Sequence, residues 1–578
     1  MVSSIAADAE IRGEEADAAQ GGLRGRLLRD WPEKAAVLMG SAAVAVQASR
    51  LGRWIVDDAG ITFAYARSVA TGHGPVQQPG ATPVEGYSDP SWLVLLVLGR
   101  WLGLFDHGSW FGTSDLVLYP KLLAMLCVVG MLIAVNLAAR VVLPRRAWAV
   151  TALVGVLFAA NMSLIIWCFS GLENALYGLT IVTMASLMLR AGVAGTLRSH
   201  RTAVLVGLLA LLAALTRPDG LMYAAAFPLT AIAFSSWAQW RATLTSCLIS
   251  TATFALPFGV FLLWRHVEFG EWVSNTAVAK SQGLPSVSRL SHTQNLLAYV
   301  GWPAVLVFTA CVGTACGLSA SFRRAIAPVL ILLGLALLAF SVLAPDWMPL
   351  DRFATPVWVL GSLALALSAV SVWEAAVRGR SRALLAAGLA AALAFGIAAE
   401  EPTIRTFIGA PTVPLCEVAA VDGITFNQYA SVFAITDGSL LTPDLGGTLL
   451  TSDLRVYDMT GLTEPHIARD YRDGNMAGLR AYVFTTVRPT FIHSVGWWQH
   501  ETGLSPQVLL ANGYVPLDAH GGTSGNWVRS ADITSPSQLT KARTLTTSTV
   551  EPEQARVAAE PRGGCGARLS PGAMEIPR

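Results

Sequence analysis

Two adjacent carboxylates, Asp57-Asp58, close the segment Trp54-Ile55-Val56 at the end of the first apolar run. Like charges side by side oppose each other's ionisation, and partial burial adds to the cost. An Asp-Asp pair set against an apolar run therefore points to chemistry more than to a solvated loop. Asp58 has the makings of a general base. Asp57 would orient it, bind a hydroxyl-rich ligand or ligate a divalent cation through oxygen. Spacing alone does not divide these roles.

Further along the chain, acids and cations recur together in Ser170-Gly171-Leu172-Glu173, in Arg217-Pro218-Asp219-Gly220 and in the stretch 265–295, which holds Arg265, His266, Asn275, Thr276 and Lys280. Pro345-Asp346-Trp347-Met348-Pro349 runs on to Asp351-Arg352 in the same way. Guanidinium forks suit phosphate, so Arg217, Arg265, Lys280 and Arg352 form a candidate phosphate-binding set. Glu173 either binds hydroxyls or pairs with one of these arginines. Gly72-His73-Gly74 follows a predicted helix over 61–70 and reads as a C-capping turn. A GxxxxGK[ST] loop is absent, which argues against ATP-driven transport.

The elements that position these groups are membrane helices. Of 578 residues, 53% are apolar and 13% charged, where a soluble domain carries about a quarter charged residues. A net charge of +2 is too small to suggest a nucleic-acid partner. Eighteen Trp suit a chain with two membrane–water interfaces. Apolar runs long enough to cross or nearly cross a bilayer lie near 35–56, 118–143, 147–169, 174–192, 201–216, 221–238, 243–264, 296–320, 324–344, 353–375 and 382–400. The run 88–105 is shorter and holds Arg100. If it does not span, the basic turns Arg140/Arg145/Arg146, Arg190/Arg198/Arg201, Arg241, Arg323/Arg324 and Arg378/Arg380/Arg382 all face the cytoplasm, as the positive-inside rule asks. The expectation is thus about 11 transmembrane helices, a cytoplasmic N-terminus and a multi-pass location in the cell membrane. The acidic residues from Asp57 to Asp351 then fall on the outer side, with all the motifs above.

Residues 1–33 read as a disordered cytoplasmic tail, 34–400 as the membrane domain and 401–535 as a small extracytoplasmic α/β domain. Its predicted strands are 431–436, 454–458 and 490–495, its predicted helices 464–472 and 476–486. Residues 536–578, rich in Ser, Thr, Pro, Arg and Gly, read as disordered. Five cysteines sit in apolar runs; Cys416 and Cys565 flank the outer domain, where a disulfide is chemically permitted. No Cys or His spacing suggests a structural metal.

At these residues the sequence resembles the GT-C superfamily of polytopic glycosyltransferases, which carry an acidic pair in the first outer loop. It is most similar to a bacterial branch that includes terminal β-(1→2) arabinofuranosyltransferases of cell walls. The matching residues are Asp57-Asp58-Ala59, Ile61, Tyr65-Ala66-Arg67, Gly72-His73-Gly74-Pro75-Val76, Pro79-Gly80, Val84-Glu85-Gly86-Tyr87 and Trp92. Ser170-Gly171-Leu172-Glu173, Arg217-Pro218-Asp219-Gly220, Asn275-Thr276, Asp346-Trp347-Met348-Pro349 and Asp458-Met459-Thr460-Gly461-Leu462-Thr463 match later motifs. The chain departs at Gln77-Gln78, where the pattern has an Asn before Pro79, at Phe63-Ala64, where an Arg often precedes Tyr65, and at Ser274, where a Pro is usual.

The resemblance implies a GT-C-like fold and transfer of a sugar, arabinofuranose or mannose-like, from a polyprenyl-phosphate donor to an extracytoplasmic cell-envelope glycan. Asp58 or Asp57 would be the base, and Arg265, Lys280, Arg217 and Arg352 would bind the donor phosphate. Glu85, Tyr87, Glu173, Asp219, Asn275, Asp346 and Trp347 would bind sugar or acceptor. No cofactor is required, and a divalent cation, with Asp57 as its one candidate ligand, is optional. The competing readings are a transporter or flippase of lipid-linked sugars, which would place ionisable groups near the membrane midplane, and a non-catalytic scaffold of envelope assembly.

Overall fold

A computed structural model describes residues 30–280, 293–518 and 524–559, together with Val287 and Leu290. Helices occupy all eleven predicted span positions. In chain order the membrane part comprises α1 (Trp31–Ser49), α2 (Asp57–Ala70), α3 (Pro90–Trp101), α4 (Asp115–Val142), α5 (Ala147–Ala160), α6 (Met162–Cys168), α7 (Asn174–Val193) and α8 (His200–Thr216). It continues with α9 (Ala226–Ala233), α10 (Trp240–Phe269), α11 (Asn275–Ala279), α12 (Thr293–Leu318), α13 (Ala320–Val342), α14 (Thr355–Ala375) and α15 (Gly379–Gly409). Short strands β1 (Ser109–Trp110) and β2 (Thr113–Ser114) pair as a hairpin between α3 and α4.

Among the described residues seven helices are long and apolar enough to cross a membrane, or eight if α5 and α6, bent by 79° at their break, count as one span. The expected eleven apolar runs therefore do not all yield full-length spans. α1 carries Glu33 and Lys34 in its first turns, α8 stops after 17 residues, and the run 221–238 is split into a 3-10 turn over Pro218–Ala225 followed by α9. The split follows from Pro218 and Gly220: a Cβ on Gly220 would lie 2.1 Å from the Ala213 carbonyl oxygen, so the chain doubles back against α8. α3 has 12 residues, about 18 Å at 1.5 Å each, against roughly 30 Å of hydrocarbon. α1 packs along α5 where Gly40 meets Gly155; a Cβ on Gly155 would lie 2.6 Å from the Gly40 Cα, and small residues are what let membrane helices approach this closely.

α15 runs past the predicted boundary at 400 and hands the chain to the C-terminal domain. There α16 (Leu415–Val418), α17 (Thr425–Phe433), α18 (Gly446–Thr451), α19 (Pro465–Asp473) and α20 (Met476–Ala481) precede α21 (Gly496–Thr502), α22 (Pro506–Ala511), α23 (Pro536–Leu545) and α24 (Glu551–Ala559). The strands β3 (Ser439–Thr442), β4 (Arg455–Asp458), β5 (Phe491–His493), β6 (Tyr514–Pro516) and β7 (Asn526–Arg529) form one sheet in the order β4-β3-β5-β7-β6. β3 is parallel to β4 and β5, and β7 is antiparallel to β5 and β6. Successive strand residues point to opposite faces: Leu440, Phe491 and Val528 join α17 in one apolar cluster, and Leu441, Ile492 and Trp527 join α19 and α20 in another.

The strands predicted at 454–458 and 490–495 and the helices predicted at 464–472 and 476–486 are present, the latter ending in a π-helical turn. The strand predicted at 431–436 is instead the end of α17. Phe426, Tyr429, Ala430 and Phe433 recur at helical spacing on its buried face, and Ala434 terminates it at φ 57°. The expected disordered tail is helical from 536 to 559, with Ala542 and Val550 buried in the first cluster. A capping box between Ser535 and Gln538 starts it. Cys416 is disulfide-bonded, Cys565 lies outside the described residues, and Cys127, Cys168, Cys247, Cys311 and Cys316 are free thiols within the apolar helices.

Candidate active site

The C-terminal domain is fastened to the first loop of the membrane part by two backbone bonds and one from an indole. Asp57 N–H donates to Val413 O at 2.9 Å, Leu415 N–H to Ile55 O at 2.9 Å, and the Trp54 indole to Thr412 O at 2.9 Å. α2 then packs against α18, a close approach allowed by Gly60 and Gly446: a Cβ on Gly446 would meet Asp57 O at 1.8 Å. Asp57 opens α2 but points into this joint. Its Oδ2 accepts from Gly446 N–H at 2.9 Å and its Oδ1 from Gly447 N–H at 2.6 Å. Only 5% of Asp57 is exposed. Burial, with Asp444 close by, pushes its carboxyl well above the usual range, against the two amide bonds that hold it down.

Asp58, one residue on, lines a cavity of about 300 Å³ together with Thr62, Tyr87, Asp89, Glu173, Arg217, Asp219, Lys280, Arg352, Phe353 and Leu462. Most of these side chains come from helix ends, at the start of α2, the start of α3 and the loop before it, the loop before α7, the turn after α8, the end of α11 and the turn before α14, and Leu462 comes from a turn of the C-terminal domain. Burial raises the Asp58 carboxyl, while Lys280 and then Arg352 pull it back down.

Two arginines of the wall are preorganised. Arg217 Nη1 lies 2.7 Å from Glu173 and its Nε 2.9 Å from Asp219, and the Tyr177 hydroxyl adds a bond to Asp219 at 3.1 Å. Arg352 Nε lies 2.5 Å from Asp346. Both guanidinium groups stack on Phe353, at 4.4 Å from its centroid for Arg217 and 5.1 Å for Arg352. Arg352 is aimed by a strained turn in which Leu350 (φ 61°) and Asp351 (φ 46°) are both left-handed, a conformation that is costly for L side chains. Ser163 Oγ–H and the Trp167 indole hold that turn through the Leu350 carbonyl. Lys280 makes no ion pair among the described residues and faces Asp58.

Of the residues expected to bind phosphate, Arg217, Arg352 and Lys280 reach the cavity and Arg265 does not. Arg265 is spent on Glu85, 2.5 Å away, behind the wall that Gly86 and Tyr87 form. Of those expected at sugar or acceptor, Tyr87, Glu173 and Asp219 line the cavity. Glu85, Asn275, Asp346 and Trp347 do not. Asn275 donates to Gly461 O at 2.7 Å and Leu462 O at 2.9 Å, which seats Leu462 in the cavity wall. Asp458 tightens the same turn, accepting from the amides of Thr460 and Thr463. Asp346 serves Arg352, and Trp347 is 58% exposed. Among the described residues no group of three or more His, Cys, Asp or Glu is arranged to hold a metal ion.

No protein-family model and no curated protein matches this chain. Among solved structures it is similar to ArnT from Cupriavidus metallidurans bound to undecaprenyl phosphate, with a TM-score of 0.44 and 15% identity, covering 90% of this chain and 88% of that one. It is also similar to the archaeal oligosaccharyltransferase AglB from Archaeoglobus fulgidus in complex with an inhibitory peptide and a dolichol-phosphate, with a TM-score of 0.42 and 12% identity, covering 73% of this chain. The chain spans 64% of the length of that oligosaccharyltransferase.

Sequence reasoning passed over Asp89, Thr62 and Asp444. Asp89 and Thr62 line the cavity; the signal for Thr62 was the spacing Asp58…Thr62, one helical turn that puts both on one face of α2, and no spacing marked Asp89. Asp444 approaches Asp57 and Asp58 from the C-terminal domain, and burial, helped by nearby Asp422, pushes it up to about 7. Asp422 accepts from Thr442 Oγ–H at 2.9 Å and lies 3.8 Å from His493 Nε2, and the His493 ring is oriented by Asn526 at 2.6 Å. No sequence motif joins these residues.

Proposed function

We propose that this chain is a membrane glycosyltransferase that moves a sugar from a polyprenyl-phosphate donor to a hydroxyl of an extracytoplasmic cell-envelope glycan. The observation that carries the reading is Asp58 lining one cavity at the helix ends together with Lys280 and Arg352, the two cations that pull most on its carboxyl. A hydroxyl oxygen of the acceptor attacks the anomeric carbon, the bond from that carbon to the phosphate oxygen breaks, and configuration inverts. Asp58 takes the hydroxyl proton as general base. Lys280, Arg352 and Arg217 neutralise the departing polyprenyl phosphate, an electrostatic role best filled by groups held in place beforehand. Asp57 is assigned to positioning: it fixes the start of α2 against α18. The sugar is arabinofuranose or mannose-like, on the sequence resemblance. A transporter would place ionisable groups near mid-membrane, whereas the cavity cations here stand at helix ends.

The test is transfer from radiolabelled polyprenyl-phosphate arabinose, mannose and related donors to a cell-wall glycan, using the full chain in lipid vesicles. Transfer from one of these donors, lost in Asp58→Asn without change in melting temperature, is expected. Wild-type transfer rates in a folded Asp58→Asn variant would sink the assignment.

A further inference from the structure

Four carboxyl side chains line the cavity: Asp58, Asp89, Glu173 and Asp219. Glu173 and Asp219 are bound to Arg217, and Asp58 faces Lys280 and Arg352. Asp89 is different. It is 3% exposed, it makes no ion pair among the described residues, and the one side chain bonded to it is Thr62, whose hydroxyl approaches its two oxygens at 3.1 and 3.4 Å. It stands at the N-cap of α3, the position where aspartate most often turns back to cap the helix, yet its side chain makes no capping bond. The carboxyl is turned to Thr62 and the cavity instead.

A buried carboxylate without a cation is costly, and the group avoids the cost by keeping its proton. Burial, reinforced by the neighbouring charge of Glu173, pushes Asp89 up to about 8, against the smaller opposing effects of the Thr62 bond, its own backbone amide and, last, Arg217. A neutral carboxyl has what a carboxylate lacks, an O–H donor.

We propose that Asp89 binds the donor sugar, its neutral carboxyl donating a hydrogen bond to a sugar oxygen while Thr62 fixes the orientation of the group. The inference rests on the glycosyltransferase reading and adds a sugar-binding residue to it. No proton is transferred at Asp89; the proton released by the acceptor goes to Asp58. The groups that face Asp89 are Asp58 and Thr62 from α2, Glu173 before α7, Arg217 and Asp219 after α8, and Lys280 and Arg352 across the cavity.

Donor KM and kcat are to be measured from mildly acid to alkaline pH for the full chain in vesicles, as wild type, Asp89→Asn and Asp89→Ala. The wild-type donor KM is expected to rise as pH passes through about 8, because the O–H donor is lost there. Asp89→Asn keeps an N–H donor that does not titrate, so its KM should stay near the neutral-pH wild-type value and lose that alkaline rise. The other facing groups are unchanged in this variant, so a rise absent only from it belongs to Asp89. Asp89→Ala should raise KM roughly tenfold at neutral pH, the worth of one hydrogen bond, with kcat less affected. If the alanine variant does not fold, the asparagine pH profile decides. A wild-type KM in Asp89→Ala, an unchanged alkaline rise in Asp89→Asn, or a kcat loss in Asp89→Asn as deep as that of Asp58→Asn would each overturn the assignment. Absence of wild-type transfer from every donor would instead fell the glycosyltransferase reading, and this inference with it.

Discussion

Asp57 accepts a hydrogen bond from the backbone N–H of Gly447, 2.6 Å away and 390 residues later in the chain. Together with the bond from Gly446 it joins the C-terminal domain to the start of α2, whose next residue is Asp58. The two halves of the Asp-Asp pair thus divide their work by direction: one faces a joint and the other a cavity. Asp57→Ala leaves two buried amides unpaired, at about 1–3 kcal/mol each, so it should lower the melting temperature and lose activity through misplacement of α2. Asp58→Asn should leave the melting temperature unchanged and cut sugar transfer by roughly 10²–10⁴, the span of a general base. Thermal unfolding in detergent beside the radiolabel assay separates the two. An Asp57→Ala variant as stable as wild type would show that the joint does not depend on this carboxylate.

The acid limb of the transfer rate should lie above the ordinary carboxylate range. A base works in its ionised form, burial raises Asp58, and a raised pKa means that the active form is lost at a higher pH during acidification. Lys280 is the strongest opposing influence on Asp58, so Lys280→Ala should move the acid limb of kcat to still higher pH. The same variant should raise the donor KM while leaving the melting temperature near wild type, since Lys280 makes no ion pair among the described residues to break. A limb that stays in place, or moves to lower pH, would rule out Asp58 as the titrating base.

How much of this was legible differed between the elements and their pairings. Polar residues at the ends of apolar runs stand out in any membrane sequence, so Asp58, Arg217, Lys280 and Arg352 were readable and do share a cavity. Partners were not, because which carboxylate an arginine meets depends on which helix ends adjoin. Arg265 looked as free as Arg217 yet lies against Glu85, 180 residues away. Asn275 and its neighbours Ser274 and Thr276 share a short segment, but Ser274 and Thr276 face the cavity while Asn275 grips the turn at Gly461. The Ser535…Gln538 capping box was a legible helix start that the polar composition of the tail obscured.

The Glu85–Arg265 pair offers a test of structure against chemistry. Glu85 is 1% exposed, and removing Arg265 would leave its charge buried alone, at about 3–5 kcal/mol. Arg265→Ala should therefore destabilise strongly, and Glu85→Leu combined with Arg265→Met should recover most of the loss. Neither side chain lines the cavity, so the double variant should retain donor KM within about threefold, less than the tenfold a lost hydrogen bond would cost. A stable double variant whose donor KM rises far beyond that would return Arg265 to the phosphate-binding set.

Gln78 closes an open sheet edge. β4 is the edge strand; the Gln78 side-chain N–H donates to Leu454 O at 3.1 Å, and its Oε1 accepts from Val456 N–H at 2.9 Å, the pairing a neighbouring strand would make. Gln77 adds a bond to Val456 O at 3.3 Å. Covering an edge with polar groups of this shape keeps it from pairing elsewhere. Gln78→Ala should cost about 1–3 kcal/mol by leaving buried backbone groups unpaired. Gln78→Asn, one methylene shorter, should fall between the alanine variant and wild type. Hydrogen exchange at the Val456 amide is the direct readout. Protection there should drop in Gln78→Ala while that of the interior strand β5 holds, and equal protection in both proteins would mean that the edge is closed by something other than Gln78.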